Sequence, residues 1–201
     1  MQRWSPEIIR YLYTAADHSR YYQDLARQLG AFLRPEDRVC DAGCGLGLLS
    51  RALLPYCAHV TAVDRSPAAV AALRARGEDP KLSALTGDIR ELPPRQPYDA
   101  MVFCLFGAIP VLSARQCGGT ALVVRRDFRR HQFSSGVRIA GHTAADMERE
   151  LQRRGLTYTA RRFTLEFGQP FLSLDDAQAF FRLYSRDGAV PSRQELAQRL
   201  G

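Results

Sequence analysis

The sequence contains no asparagine and a single lysine, Lys81, so that arginine supplies 27 of the 28 basic residues. Lysine and asparagine codons are both rich in adenine, and a GC-rich genome would produce this bias without selection for binding. The formal net charge of +7 is therefore weak support for a nucleic-acid partner. The exception is the segment Arg125–His131, in which four arginines and a histidine fall within seven residues.

The sequence also lacks a long apolar run, since none approaches the roughly 20 residues that a membrane span needs. Arg3, Glu7 and Arg10 lie within the first ten residues, which does not fit the long apolar centre of a signal peptide. Five cysteines are present, and no second Cys/His pair follows Cys40 and Cys44 at the spacing of a zinc site. We expect a soluble, cytoplasmic protein with free thiols, no metal site and no membrane partner.

Helical and strand patterns alternate along most of the chain, of which 46% is hydrophobic. Residues 1–34 have helical periodicity and are predicted to form an N-terminal helical cap. Strands are predicted at 38–41, 59–64, 82–86, 98–105, 120–124 and 156–167, and helices at 46–56, 67–76, 144–154, 173–184 and 192–200. Strands that alternate with crossover helices form a parallel, doubly wound sheet. We therefore predict an α/β fold of six or seven strands, with helices on both faces, over residues 35–201.

A glycine-rich turn, with Gly43, Gly45 and Gly47, follows the first predicted strand. Ligands of doubly wound sheets bind at the carboxyl ends of the strands, where strand order reverses, and glycines let the backbone approach such a ligand closely. A dinucleotide site requires Gly-x-Gly-x-x-Gly/Ala, but the sixth position here is Leu48. Asp41, two residues before the turn, would repel a pyrophosphate and suits a cationic ligand.

Two further acids end the next two predicted strands. Asp64 lies 21 residues after Gly43, where a carboxylate can accept both ribose hydroxyls of either NAD or S-adenosylmethionine (SAM). Asp88, within the tripeptide Gly87-Asp88-Ile89, can accept a hydrogen bond from an adenine amino group, and Ile89 offers an apolar face to the ring. Each acid alone could be a helix cap or a surface charge, but three at successive strand ends predict a nucleoside ligand.

In these segments the sequence resembles the class I SAM-dependent methyltransferases. The resemblance extends from residue 36 to about residue 125 and is carried by residues 39–47, 60–64, 86–89 and 98–104. It implies that SAM is the cofactor, with the glycine turn against its methionine part and Cys104 to Phe106 bordering the methyl group. The residues implied in cofactor binding are Asp41, Gly43, Cys44, Gly45, Gly47, Leu48, Asp64, Arg65, Gly87, Asp88, Ile89, Phe103, Cys104, Tyr21 and Tyr22.

The sequence departs from the family pattern in two places. No convincing strand follows Tyr184, where family members usually have a seventh, antiparallel strand. The Asn/Asp-Pro-Pro-Tyr run of many amino-group methyltransferases is also missing, because Phe103–Gly107 occupies that place. Methylation of adenine or glutamine amino groups by that scheme is therefore disfavoured.

The methyl acceptor is the least determined part of the prediction. His131 is the candidate general base, because it follows the fifth strand and titrates near neutral pH. We expect a small-molecule acceptor, which Arg125–His131 could hold if it is anionic. The alternatives are RNA methylation through the same cluster, a catalytically inactive methyltransferase-like binding protein, and a nicotinamide oxidoreductase, which Leu48 and Asp41 disfavour.

Overall fold

A computed structural model of the protein describes residues 4–92, 96–107, 116–128, 143–184 and 190–200. These residues form one parallel sheet with helices packed around it. The strands are β1 (Arg38–Ala42), β2 (His59–Asp64), β3 (Leu82–Thr86), β4 (Tyr98–Cys104) and β5 (Cys117–Val124). The helices are α1 (Pro6–His18), α2 (Tyr21–Gly30), α3 (Leu48–Leu53), α4 (Pro67–Ala75), α5 (Ala144–Arg153), α6 (Leu174–Tyr184) and α7 (Arg193–Leu200), and a 3-10 turn (Leu54–Tyr56) extends α3.

The sheet has the order β3-β2-β1-β4-β5, and every strand pair is parallel. The chain starts in the centre, moves outward to β3, and then crosses over to β4 on the other side of β1. The strand order therefore reverses between β1 and β4, where Asp41 is in register with Ala62 of β2 and Val102 of β4. A ligand site is expected at this point, outside the carboxyl ends of the strands.

Short-range signals in the sequence account for where several helices begin. Ser5 and Ser66 each cap a helix whose first residue is proline, and their hydroxyls accept backbone N–H groups of the first turn. Thr143 and Asp146 form a reciprocal capping box at the start of α5. These caps confirm the predicted helix starts near residues 6, 67 and 144.

The core lies on both faces of the sheet because alternate residues of each strand point to opposite sides. Val39 and Val60 pack with Leu25 and Leu53 of α2 and α3 on one face. The other face is covered by a second group of buried side chains, which includes Cys40, Ala42, Val63, Met101 and Phe103.

A third cluster joins the two ends of the chain. Tyr11 of α1 packs against Phe180 and Phe181 of α6 and Leu196 of α7. The Tyr11 hydroxyl donates to Asp176. The N-terminal helices are thus attached to the C-terminal helices as well as to the sheet.

The predicted sixth strand, residues 156–167, is wrong, because the structure places this segment outside any strand. Its alternation of apolar and polar residues is typical of a strand, but the segment pairs with no strand among the described residues. Phe163 is 43% exposed, while Leu165 packs onto the core under α2. In the described part of the chain the sheet therefore has five strands, with β5 at its edge, and the residues described after Tyr184 contain a helix.

The other element bounds differ from prediction by small amounts. The predicted helix 46–56 divides into α3 and the 3-10 turn at Pro55, because proline removes a backbone donor. Strand β5 begins three residues earlier than predicted, at Cys117. No helix in the described ranges is both long and apolar enough to cross a membrane.

Candidate functional site

The glycine turn lies between the carboxyl end of β1 and α3, at the switch in strand order. Gly43, Gly45 and Gly47 all have positive φ angles, +74°, +54° and +67°, which residues with a Cβ rarely adopt. The backbone N–H groups of Gly43 and Cys44 donate to the Val63 carbonyl at 2.7 and 3.0 Å. The turn is therefore fastened to β2 in the conformation that the three glycines were predicted to provide.

Neighbouring side chains press closely on this turn. A Cβ at Gly43 would lie 2.5 Å from the ring of Phe106, and one at Gly45 would lie 3.1 Å from Trp4. Leu48, which breaks the dinucleotide pattern, is the first residue of α3. Side chains of the protein itself therefore leave little room for a Cβ at Gly43 or Gly45.

Asp41 is buried, with 1% of its surface exposed, beneath the glycine turn. Its carboxylate accepts a hydrogen bond from the Ser50 hydroxyl at 2.6 Å, and within the described ranges it pairs with no cation. Burial raises the pKa of Asp41 to about 6, against the opposing effect of the Ser50 hydrogen bond. A buried carboxylate without a counterion is costly, and a cationic ligand would supply the missing charge.

Asp64, at the end of β2, connects the glycine turn with the start of α4. Its two carboxylate oxygens accept the backbone N–H groups of Gly45 at 2.9 Å and Ser66 at 2.8 Å. Each oxygen keeps further acceptor capacity. The structure therefore places Asp64 beside the turn, as predicted, and holds its side chain in a fixed orientation.

Asp88 lies among arginines, which the sequence did not predict. Arg90 donates to both of its carboxylate oxygens, with its Nε at 2.9 Å, and Arg65 approaches to 3.7 Å. The hydrogen bond from Arg90 holds the pKa of Asp88 well below its usual range. Ile89 is 4% exposed, so its side chain belongs mainly to the core, and a Cβ at Gly87 would clash with the Leu92 side chain.

The end of β4 brings Cys104 to the same edge of the sheet. Cys104 pairs in register with Val124 of β5, and burial raises the pKa of its thiol to about 12, so that it is a poor nucleophile at neutral pH. Phe103 is fully buried on the other face. It contacts Phe106, with ring centroids 5.4 Å apart, and reaches the glycine turn only through that ring.

Tyr21 and Tyr22, the first residues of α2, lie near this strand end. Both pack against the same core cluster as Cys104, and burial raises the pKa of Tyr21 to about 12. The pKa of Tyr22 is also raised, by burial first and then by Tyr21, Cys104 and Asp41. The structure therefore packs both tyrosines against the core cluster that contains residues of β1 and β4, and their role in binding the cofactor stays a prediction.

The structure describes the first residues of the segment Arg125–His131 but not its last three. The guanidinium of Arg125 donates to the carbonyls of Phe106 and Gly107, and so holds the loop after β4. Within that loop Leu105 has φ +51°, an uncommon conformation for a residue with a side chain. His131, the candidate base, lies outside the described residues, as do Arg129 and Arg130.

Ser50 and Trp4 are the site residues that sequence reasoning missed. A signal for Ser50 existed, because a buried aspartate needs a donor and Ser50 lies in the helix that immediately follows the turn. Trp4 carried no such signal, since it approaches Gly45 only in three dimensions.

A second concave surface lies away from the glycine turn. A cavity of about 520 Å³ lies between α4 and β3 and is lined by Arg51, Arg74 and Asp79, among others. It contains none of the predicted site residues. Among the described residues no group of three His, Cys, Asp or Glu side chains is placed to hold a metal ion.

Comparison with known proteins finds a match to less than half of the chain. Residues 39–126 match the sequence model of a methyltransferase domain. A ubiquinone biosynthesis O-methyltransferase from Xylella fastidiosa is 40% identical over 70 residues, which is 32% of this chain and 28% of that protein. The chain thus aligns with less than a third of the length of this relative.

A solved structure has the same fold over most of the chain. A proposed methyltransferase from Haloferax volcanii, solved with the Trm112 methyltransferase activator, is similar over 91% of this chain and 85% of that one, with a TM-score of 0.55 and 20% identity. A SAM-bound amino pentose methyltransferase from Micromonospora echinaspora matches 56% of this chain and 48% of that one, with a TM-score of 0.42 and 25% identity.

Proposed function

Residues 39–126 form a class I, Rossmann-like methyltransferase domain, and from this premise we propose that the protein transfers a methyl group from SAM to a small-molecule acceptor. SAM, when bound, supplies an electrophilic methyl group on a sulfonium centre. Transfer of this group is an in-line displacement, in which positioning alone can provide much of the rate. The residues around the glycine turn would therefore act mainly by binding and orienting.

The observation that carries the proposal is the buried, unpaired carboxylate of Asp41 beneath the glycine turn. SAM bears an ammonium group and a sulfonium. The ammonium would be the cation that pairs with Asp41, directly or through water. A pyrophosphate would instead bring negative charge next to this carboxylate. The site thus favours SAM over a dinucleotide.

The neighbouring strand ends suit the nucleoside part of the cofactor. Asp64 is held by Gly45 and Ser66 with acceptor capacity to spare, and it would bind the ribose hydroxyls. Asp88 would accept the adenine amino group. Because Arg65 and Arg90 already engage Asp88, we expect it to contribute less to affinity than Asp41 or Asp64.

A small-molecule acceptor is supported by two observations. The relative from Xylella fastidiosa acts, by its name, in ubiquinone biosynthesis. In addition, Arg125 is engaged with the carbonyls of Phe106 and Gly107, which removes one arginine from a surface that could bind RNA phosphates.

Calorimetry with SAM, S-adenosylhomocysteine and NAD tests the cofactor. We expect SAM to bind. Asp41→Asn should lower the affinity for SAM about 10- to 100-fold, because it removes a charge-assisted contact of about 1.5–3 kcal/mol. Asp175→Asn is the matched control, because Asp175 is 71% exposed on α6 and should leave the affinity unchanged.

Two results would overturn the proposal: no heat with SAM, or binding of NAD in its place. SAM binding without methyl transfer to any small molecule or RNA would support the alternative of a catalytically inactive binding protein.

A further inference from the structure

Three aromatic side chains form a wall beside the end of β4. Tyr21 and Tyr22 come from the start of α2, and Phe167 comes from the segment that follows α5. The Phe167 ring centroid lies 5.1 Å from that of Tyr21 and 6.2 Å from that of Tyr22, and both pairs meet edge to face. Phe167 remains 37% exposed, so the wall has an open side.

This aromatic wall stands at the strand ends where the methyl group is expected. Tyr21, Tyr22, Cys104 and Val124 pack against one core cluster, and Cys104 and Val124 are neighbours in the sheet. A molecule lying against the wall would therefore be next to the ends of β4 and β5.

The hydroxyls of Tyr21 and Tyr22 differ in their hydrogen bonding from the tyrosine hydroxyls of helix α1. The Tyr11 hydroxyl donates to Asp176, and the Tyr13 hydroxyl donates to the Ala72 carbonyl, both at 2.9 Å. The hydroxyls of Tyr21 and Tyr22 have no hydrogen-bond partner in the described ranges, although both side chains are more than half buried. Each hydroxyl can donate one hydrogen bond and accept others, and a phenolic ligand would provide a partner.

A positive charge lies beside the wall. Arg126 lies two residues after the end of β5, and its side chain makes no hydrogen bond or ion pair among the described residues, whereas Arg125 is held by two carbonyls. Val124, two residues before Arg126, packs against the same core cluster as Tyr21 and Tyr22, and the charge of Arg126 opposes the rise in the pKa of Tyr21 that burial causes. A half-buried guanidinium without a counterion is suited to a carboxylate.

We propose that the aromatic wall of Tyr21, Tyr22 and Phe167, together with Arg126, is the acceptor site, and that the acceptor is a hydroxylated aromatic acid. The ring of the acceptor packs on the wall, its carboxylate pairs with Arg126, and the tyrosine hydroxyls bind its phenolic oxygen. This inference rests on the proposed function. In the transfer step, the phenolic oxygen forms a bond to the methyl carbon, the carbon–sulfur bond breaks to leave S-adenosylhomocysteine, and the phenolic proton passes to water.

Transfer of tritium from methyl-labelled SAM tests this site. The probes are 3,4-dihydroxybenzoate, 4-hydroxybenzoate and caffeate, with uncharged catechol and a tRNA transcript for comparison. We expect the acids to be methylated, with a KM about tenfold or more below that of catechol. Arg126→Gln should remove this difference by raising the KM of the acids alone.

The tyrosine and phenylalanine variants test the wall itself. Tyr21→Phe and Tyr22→Phe should lower kcat/KM about tenfold for the acids and for catechol, and Phe167→Ala should raise KM for both. The matched controls Tyr158→Phe and Arg27→Gln alter exposed residues outside the site and should have no effect. Binding of SAM, measured by calorimetry on Arg126→Gln and Phe167→Ala, should remain within about twofold of the parent.

Failure of this inference is distinct from failure of the proposed function. If SAM binds but the acids are not methylated, or if only the tRNA transcript is, the acceptor site is wrong and the cofactor site stands. The proposed acceptor site would also be wrong if Arg126→Gln and the tyrosine variants methylated the acids as well as the parent does. If SAM does not bind, both the inference and the proposed function fail.

Discussion

The hydroxyl of Ser50 lies 2.6 Å from a carboxylate oxygen of Asp41, and both side chains are buried. Ser50 is the one side chain that donates to Asp41 in the described ranges, and its hydrogen bond lowers a pKa that burial raises to about 6. The serine therefore helps to keep the carboxylate charged near neutral pH, which is the form that a cationic ligand requires.

Replacing Ser50 should change how SAM affinity depends on pH. In the parent protein, affinity should fall as the pH is lowered through about 6, because Asp41 becomes protonated. Ser50→Ala removes the donor, raises the pKa of Asp41 further, and should move this fall to higher pH. Calorimetry between pH 5 and 8 would show the displacement. Ser83→Ala, whose hydroxyl contacts His59, should leave the profile in place, and equal profiles for all three proteins would contradict the role of Ser50.

Asp41 should destabilise the fold at neutral pH. Its pKa is raised from 3.8 to about 6 on folding, so the folded state binds the proton more tightly, and stability falls as the pH rises between these values. Asp41→Asn removes the buried charge and should increase the free energy of unfolding at pH 8 by up to roughly 3 kcal/mol, while weakening SAM binding.

Urea denaturation at pH 8 and at pH 4 measures this effect. The gain from Asp41→Asn should disappear at the lower pH, where the aspartate is protonated. Asp175→Asn, at an exposed position, should show no such pH-dependent difference. A variant that is less stable than the parent at pH 8 would show that the charge is compensated inside the fold.

Leu105 should tolerate glycine better than an equally exposed leucine in a helix. Leu105 and Leu183 are both 39% exposed, but Leu105 has φ +51°, whereas Leu183 lies in α6. Leu105→Gly relieves a left-handed conformation, and Leu183→Gly adds the cost of glycine in a helix. We expect Leu105→Gly to be less destabilising by about 1–2 kcal/mol, as measured by thermal and urea unfolding; equal losses would contradict strain at Leu105.

Gly45 should combine a structural role with a binding role, unlike Gly155. Both have positive φ, +54° and +65°, but a Cβ at Gly45 would lie 3.1 Å from Trp4, while nothing lies within 4 Å of one at Gly155. Alanine at either position should cost about 1 kcal/mol of stability. Only Gly45→Ala should weaken SAM binding. SAM binding can be followed by the fluorescence of Trp4, the single tryptophan. Equal SAM affinity in both variants would show that the cofactor binds elsewhere.

Much of the fold could be predicted from local signals. Strands β1 to β5 and the helices that join them appear where apolar periodicity, Ser-Pro caps and glycines predict them, because these signals act over a few residues. The segment 156–167 shows the limit of this reasoning. Its alternation is typical of a strand, but a strand also requires a neighbour with unpaired backbone groups at the right distance, and the alternation contains no information about that neighbour.

The candidate site shows the same division. Asp41, the three turn glycines and Asp64 could be predicted, because a parallel sheet brings the ends of successive strands to one edge. The contacts that the nearby arginines make could not be predicted. Arg65 and Arg90 engage Asp88, which was predicted to be free for adenine, and Arg125 binds backbone carbonyls instead of an anion.

The sequence by itself determined the class of fold, the conformation of the glycine turn and the three acids at successive strand ends. These follow from the permissive backbone of glycine and the fixed geometry of parallel strands. Only the tertiary structure decided that Ser50 tunes Asp41, that Phe167 meets Tyr21 and Tyr22, and that β5 is at the edge of the sheet in the described part of the chain. Such contacts join residues from separate elements, and their distances depend on how the helices and the segment after α5 pack onto the sheet.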